Sequence, residues 1–398
     1  MNFRQRIAEL ELPEDSYIVV GSGILAALGI RESRDIDLVV TDEAYKSIEK
    51  LGWEQGLWGD DIVFQRDVFD IGNDWYGKSA THLLKHAQII EGVPYLSLDD
   101  VYEWKKQRGQ EKDIRDIALI DDYRQMSREK TLKYYERLSS RLGYQFVLGG
   151  HRHFGWYKGG GHKTMIKAAE AIIDHLAEFS GIVPGSNVLD AGCGQGRSAL
   201  QLAKKYGATV SGVDLVPRSI SFAQRAAIGN KNVNFQIADY NTLPFKDNSF
   251  DVVFALETFT HSSDPERTIR EFLRVLKPGG RIAIFDYSIA PLASMPRELS
   301  DAIHLIAKET DCPGFDTITH DYYGKLLPKL KVSSFEVINA TEGVLPGIKN
   351  MYRLSWVPYH LLKIFKHQND HPNLLMAHIG WQAGVRDYIR YINVKIVK

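Results

Sequence analysis

VLDAGCGQG, residues 188–196, is the stretch whose reading decides the fold. Val188 and Leu189 make an apolar run that ends on a carboxylate, Asp190, and three glycines then alternate at Gly192, Gly194 and Gly196. A helical pattern follows at once, with Ala199, Leu202, Ala203 and Tyr206 at i, i+3, i+4 and i+7. Strand, tight glycine turn and helix together bring backbone N–H groups and a helix N-terminus up against a ligand. A dinucleotide fingerprint, G-x-G-x-x-G, would need glycine at 197, where the chain has Arg197. Asp190 also repels a pyrophosphate. The turn therefore suits a ligand that is polar, partly cationic and close to the backbone.

Behind the turn, strands are predicted over 208–214, 233–239, 250–256 and 281–285. They end on or beside Asp214, Asp239, Glu257 and Asp286, with helices between them starting near Pro217 and after Asp264. Such alternation predicts an α/β fold with a parallel sheet, and ligands sit at the carboxyl ends of its strands. Asp190, Asp214, Asp239 and Glu257 all fall there. One acid after a strand reads equally as a helix cap. Four at successive strand ends point to a ligand: Asp190 suits an ammonium, Asp214 a ribose diol and Asp239 an adenine amino group. Glu257 and His261 are the candidates for a general base, which is required only if an acceptor arrives protonated. His261 reads equally as a loop residue capping the next helix.

At 398 residues the chain predicts two domains. A formal net charge of −1 gives no electrostatic reason to expect nucleic acid or a membrane surface. Two cysteines, Cys193 and Cys312, argue against a disulfide framework and for a reducing compartment. The N-terminus has no apolar signal core, and no apolar run is long enough to span a bilayer, so a cytoplasmic location is expected.

Ahead of the glycine turn, Ser16 to Val20 reads as a short buried strand ending at Gly21 and Ser22. Period-two geometry then puts Asp35 and Asp37 on one face of a following strand, and Asp70 offers a third carboxylate. Like charges held that close call for a hard divalent cation on oxygen ligands. An edge-strand reading, with the charges simply solvated, competes with it. Gly21-Ser22 followed by Asp35-x-Asp37 resembles the signature of the nucleotidyltransferase fold, the polymerase-β-like superfamily. Lys105, Lys112, Asp113 and Asp116 match a helical segment of its minimal, toxin-associated members. The resemblance implies a Gly21-Ser22 turn that holds a triphosphate, and Mg²⁺ bound through Asp35, Asp37 and Asp70.

Residues 149–164 are dense in glycine, histidine and aromatics. His151, His153 and His162 compete as metal ligands with a phosphate loop at 160–164, which His162 interrupts. A mobile lid covered by Phe154, Trp156 and Tyr157 is the favoured reading.

VLDAGCGQG, VSGVD, ADYNTLPFKDNSFDVVFALET and FLRVLKPGGRIAIFD together resemble the successive motifs of class I S-adenosylmethionine-dependent methyltransferases, in their small-molecule branch. The resemblance runs from about Tyr134 to Asp286. It implies a Rossmann-like seven-stranded sheet with a helical cap, preceded by the small α+β nucleotidyltransferase-like domain. It implies that Gly192, Cys193, Gly194 and Gly196 lie along the methionine part of the cofactor. Asp214 would then bind ribose, Asp239 and Tyr240 the adenine side, Tyr157 would cover the methionine group, and Glu257 would stand near the reacting centre. Cys193 matches a small residue common in this loop, which argues against a redox or nucleophilic role.

The expected division is 1–127 and 128–398, with a methyltransferase core over 163–345 and an extension over 346–398. The helix expected over Met295 to Glu309 acts as a cap, and the sixth and seventh strands are expected by Ala340. The extension either completes the substrate pocket or makes a dimer contact. The expected activity is methyl transfer to a small-molecule acceptor on O, N or C. The alternatives are a bifunctional nucleotidyltransferase/methyltransferase, or an inactive first domain that binds RNA or protein.

Overall fold

A computed structural model describes residues 3–13, 15–59, 61–90, 92–136, 151–158, 164–364 and 371–398. The chain divides into two compact units, Met1–Ser127 and Arg128–Lys398.

The first unit is built on a sheet of β1 (Tyr17–Val19), β2 (Ile36–Val40), β3 (Glu54–Trp58), β4 (Asp61–Arg66), β5 (Phe69–Gly72), β6 (Gln88–Ile90) and β7 (Val93–Tyr95) in the order β3-β4-β5-β2-β1-β7-β6. Ile18, Val19, Ile36, Leu38, Val39 and Ile71 are fully buried and form its centre. β2 runs parallel to β5 with Asp37 opposite Asp70. Asp35 lies one residue before β2 rather than on it. The Ser33 hydroxyl donates to the Asp35 carbonyl at 3.0 Å and makes a local turn there. Helix α1 (Leu98–Arg108) starts on Ser97, which accepts the Asp100 N–H, and stops at Gly109 with φ +65°. Helix α2 (Glu111–Glu136) follows, and residues 137–150 of the expected linker lie outside the described residues.

The second unit is organised on a second sheet, in the order β10-β9-β8-β11-β12-β14-β13. Its strands are β8 (Asn187–Ala191), β9 (Thr209–Asp214), β10 (Val233–Ile237), β11 (Phe250–Leu256), β12 (Leu276–Ile289), β13 (Ser334–Asn339) and β14 (Ile389–Val397). The five strands from β10 to β12 are parallel neighbours, and β14 inserts antiparallel between β12 and β13. The sheet is seven-stranded, as the resemblance implies. Helices α3 (Met165–Ser180), α4 (Arg197–Tyr206), α5 (Pro217–Ala226) and α6 (Pro265–Val275) connect and cover it. α6 is N-capped by Asp264, which accepts the Arg267 N–H at 3.0 Å. On α3 the buried face is Ala168, Ala169, Ile172, Ile173, Leu176 and Ala177, while Ile166 is exposed.

The C-terminal segment departs from expectation. Residues 332–340 hold one strand, and the seventh strand is β14, inside the supposed extension 346–398. α7 (Arg297–Thr310) forms the expected cap helix, and α8 (Thr341–Ile364) and α9 (Pro372–Val385) lead from β13 to β14. Strand β14 is flanked on both edges, and Tyr391, Ile392, Asn393 and Val394 are buried in succession, so it lacks the period-two pattern of a half-exposed strand. Replacing Ile396, which is fully buried, by Ala should cost about 2–5 kcal/mol in urea denaturation of the chain. A loss under about 1 kcal/mol would show that β14 is peripheral to the fold.

Candidate functional site

The turn after β8 is held by backbone geometry that only glycine adopts easily. Gly192 has φ +87°, and a Cβ there would stand 2.3 Å from Thr258 Oγ1. Gly196 has φ +76°, and a Cβ there would stand 2.5 Å from the Phe235 ring. Asp214, at the end of the neighbouring β9, ties this turn down. One of its oxygens accepts the Gly194 N–H and the other the Val216 N–H, each at 2.8 Å. Cys193 is buried, and burial pushes its thiol up, away from nucleophilic use.

Asp190 is 2% exposed, and its Oδ2 has no hydrogen-bond partner among the described residues. Burial, with the Asp214 charge added, raises its pKa well above the ordinary carboxylate range, against an N–H from Ala199. A buried carboxylate oxygen without a donor costs free energy that a cationic ligand relieves. Asp239 is half-buried and accepts the Asn241 N–H at 2.8 Å. Tyr240 is buried, and its hydroxyl donates to the Thr258 carbonyl at 3.0 Å, beside the same turn.

Glu257, just past β11, holds φ +51°, a left-handed conformation uncommon for a residue with a side chain. Its Oε1 accepts the Phe154 N–H and its Oε2 the Tyr287 hydroxyl, both at 2.8 Å. Burial pushes its pKa up to about 8 against these two donors, with Asp286 adding to the rise and Tyr391 opposing it. The carboxyl is therefore largely protonated at neutral pH. Asp286, fully buried, accepts the N–H groups of Thr260 and Tyr287 and fixes the turn that carries His261. The His261 Nδ1 lies 2.7 Å from the Asp311 carbonyl, and Cys312 Sγ stands 3.4 Å from that nitrogen. Burial pulls the His261 pKa down, but Cys312, the Asp311 carbonyl and Asp286 together push it up to about 9. At neutral pH the ring therefore already carries both its protons and is a poor candidate for a general base.

Residues 151–158 of the segment expected to be a mobile lid are seated instead. Trp156 stacks on His175 with ring centroids 4.0 Å apart, and its backbone N–H donates to the Ala168 carbonyl. The Tyr157 N–H donates to the Gly343 carbonyl, and its ring lies against Gly347. His153 donates from Nδ1 to the Phe154 carbonyl, leaving Nε2 to accept from His151 at 3.2 Å. Burial lowers both rings, His151 to about 3 and His153 to about 4. The two histidines satisfy each other. His162 and the loop at 160–163 lie outside the described residues.

In the first unit, Gly21 has φ +62°, and a Cβ there would meet the Asp37 carboxylate at 2.5 Å. Burial raises Asp37 to about 7, helped by Asp35 and Asp70 and opposed by Lys112 and Lys105. The three carboxylates do not form a ligand set: among the described residues no three His, Cys, Asp or Glu side chains converge for a metal. Asp70 is turned to Gln65 Nε2 at 2.8 Å and Asp35 to the Ser33 hydroxyl at 3.2 Å. Ser22 accepts from Arg31, which also pairs with Asp116, while the buried Lys105 Nζ lies 2.7 Å from the same Asp116. Lys105, Asp113 and Asp116 thus share a buried charge network, while Lys106, Glu111, Lys112 and Arg115 of the same run are exposed.

Residues 189–284 match the family model of a methyltransferase domain. The chain is 35% identical over 167 residues to norajmaline N-methyltransferase of Rauvolfia serpentina, covering 39% of this chain and 57% of that protein. The C-terminal part of the chain is a class I S-adenosylmethionine-dependent methyltransferase domain. It is also 28% identical over 268 residues to an S-adenosyl-L-methionine-dependent Diels-Alderase, iccD, of Talaromyces variabilis, covering 65% of this chain and 89% of that protein. Among solved structures, the [4+2]-cyclase SpnF superposes with a TM-score of 0.53 at 21% identity, covering 68% of this chain and 96% of that one. At that identity the likeness speaks for the fold alone. One feature of the methyltransferase domain's own geometry suits its cofactor: the buried Asp190 oxygen that lacks a donor matches a cationic methionine end.

The sequence did not point to Tyr287 or Tyr391, which share Glu257, nor to the Phe154 N–H. Tyr287 directly follows the strand-ending Asp286, which was the available signal; Tyr391 sat inside the segment read as an extension. The raised Glu257 pKa has a consequence for stability. From about pH 4.5 to about pH 8 the folded chain keeps a proton that the unfolded chain has released. This contribution is complete below the lower value and lost as pH rises through the upper one. Between about pH 5 and about pH 9, wild type should therefore lose more stability than Glu257→Gln in urea midpoints. Parallel curves would show that Glu257 is ionised throughout.

Proposed function

We propose that the second unit transfers the methyl group of S-adenosylmethionine to a small-molecule acceptor. The observation that carries this reading is Asp190: a buried carboxylate, one oxygen without a donor, beside a glycine turn fixed by Asp214. In this reading Asp190 takes the methionine ammonium, and Gly192, Cys193, Gly194 and Gly196 line the methionine part. Asp214 and the Asp239–Tyr240 pair face the ribose and adenine sides. When bound, the cofactor supplies an activated methyl group, so the chain's task is to hold the acceptor in line and to exclude water. Glu257, held by Phe154 and Tyr287, stands at the carboxyl end of β11, where it donates a hydrogen bond when protonated and takes a proton only at alkaline pH. The norajmaline N-methyltransferase relative supports a small-molecule acceptor.

Asp190→Asn should keep or raise the thermal midpoint, because it removes a poorly partnered buried acid, while the heat of S-adenosylmethionine binding disappears in calorimetry. Wild-type affinity in that variant would reject the pocket. Incubation with methyl-labelled S-adenosylmethionine and a small-molecule extract should yield a labelled product. Cofactor binding without any label transfer would favour the second reading, suggested by the Diels-Alderase relative, in which the bound cofactor serves other chemistry.

For the first unit the proposal is a nucleotidyltransferase-type fold, supported by the Gly21-Ser22 turn pressed on Asp37 and by the Asp37–Asp70 pairing. No magnesium-dependent step is assigned to it, because its carboxylates do not converge. ATP or GTP should give a binding heat with the full chain that Ser22→Ala weakens. Absence of heat for both nucleotides, with and without Mg²⁺, would leave the unit as an RNA- or protein-binding module.

A further inference from the structure

Helix α8 carries apolar side chains on two opposite faces. One face is already used: Val344, Ile348 and Ser355 are buried, and the Tyr359 ring stacks on His378 of α9 with centroids 3.8 Å apart. On the other face, Leu354, Val357, Leu361 and Ile364 are 60%, 58%, 53% and 72% exposed. Steps of three, four and three residues align them in one stripe along the helix. Trp356 is also exposed. Scattered apolar residues on a surface need no explanation, whereas a contiguous stripe marks an interaction surface.

The charge pattern identifies the occupant. Between Gly343 and Asn369 the sequence has no Asp or Glu, yet it holds Lys349, Arg353, Lys363 and Lys366. Arg353, Lys349 and Lys363 fall on one flank of the stripe by helical geometry, together with Trp356 and His360. A helical protein partner would be matched by charges of both signs beside the seam. A purely basic flank with an aromatic beside an apolar stripe is complementary to anionic headgroups over acyl chains. No helix among the described residues is long and apolar enough to cross a membrane, so such a helix lies in the surface plane.

We propose that α8 docks the second unit on a bilayer surface containing anionic lipid. Leu354, Val357, Leu361 and Ile364 enter the acyl boundary, and Arg353 and Lys363 meet the headgroups. This surface is independent of the methyl-transfer reading, and its test does not use activity. The full chain is mixed with phosphatidylcholine vesicles and with phosphatidylcholine–phosphatidylglycerol vesicles and sedimented. Binding is expected only with phosphatidylglycerol present, and weaker as salt rises. The double variant Leu354→Asp/Leu361→Asp should bind at least about tenfold more weakly, and Arg353→Gln or Lys363→Gln about fivefold each. All four positions are solvent-facing, so the thermal midpoint serves as the folding control and should not move. Failure of wild type to bind, or equal binding by the folded double variant, overturns the proposal. A dimer in sedimentation equilibrium that Leu361→Asp dissolves, without vesicle binding, overturns it in favour of a second copy of this chain.

Discussion

Both oxygens of Asp214 accept backbone N–H groups, one from the glycine turn and one from the loop leaving its own strand. This clamp is what the rest of the second unit is arranged to support. It requires β8 and β9 to be parallel neighbours in register, so that the Gly192 and Cys193 N–H groups both reach the Val213 carbonyl. It also requires glycine where Thr258 and Phe235 press on the turn from behind. Charge-assisted hydrogen bonds from fixed backbone are among the stronger ones available. Here they fix the loop that follows the unpartnered oxygen of Asp190.

A second set of contacts reaches the same sheet edge from distant parts of the sequence. Glu257 is held by the Phe154 N–H and the Tyr287 hydroxyl, 103 residues before it and 30 after it. The residues around Phe154 are themselves seated on α3 and α8 through Trp156 and Tyr157. An uncommon backbone angle at Glu257 is thus held by parts of the chain that meet only in the folded state. In the first unit the corresponding device is ionic: Arg31, Asp116 and Lys105 tie the helix segment to Ser22, so the Gly21-Ser22 turn is fixed from outside its own strand.

How much of this was legible depended on the range of the interaction. The glycine turn, the acids at strand ends and the strand–helix alternation are local patterns, and they sit in the fold where the sequence puts them. Asp35, expected on the strand with Asp37, falls short of β2, because the Ser33 turn that holds it there has no period of its own. The seventh strand was invisible for a physical reason: β14 is flanked by β12 and β13 and buried on both faces, so it has no alternation to read. Glycine content suggested mobility around Phe154, whereas stacking of Trp156 on His175 opposes it. The pinning of His261 by Asp311 and Cys312 could not be read either, since those partners lie some fifty residues away.

The position of β14 also shapes how the second unit is assembled. Its register pairs Ile289 with Ile389 and Arg281 with Val397, so β12 must find a neighbour a hundred or more residues later in the chain. Pairings that distant close slowly, because the loop entropy precedes any reward. While the ribosome makes the intervening helices, the outer edge of β12 stays unpaired, and β13 has no strand on which to dock. A nascent chain in that state presents a long apolar edge of the kind that templates aggregation. Yield in expression should therefore depend on chaperone supply and synthesis rate more than on the stability of the finished sheet.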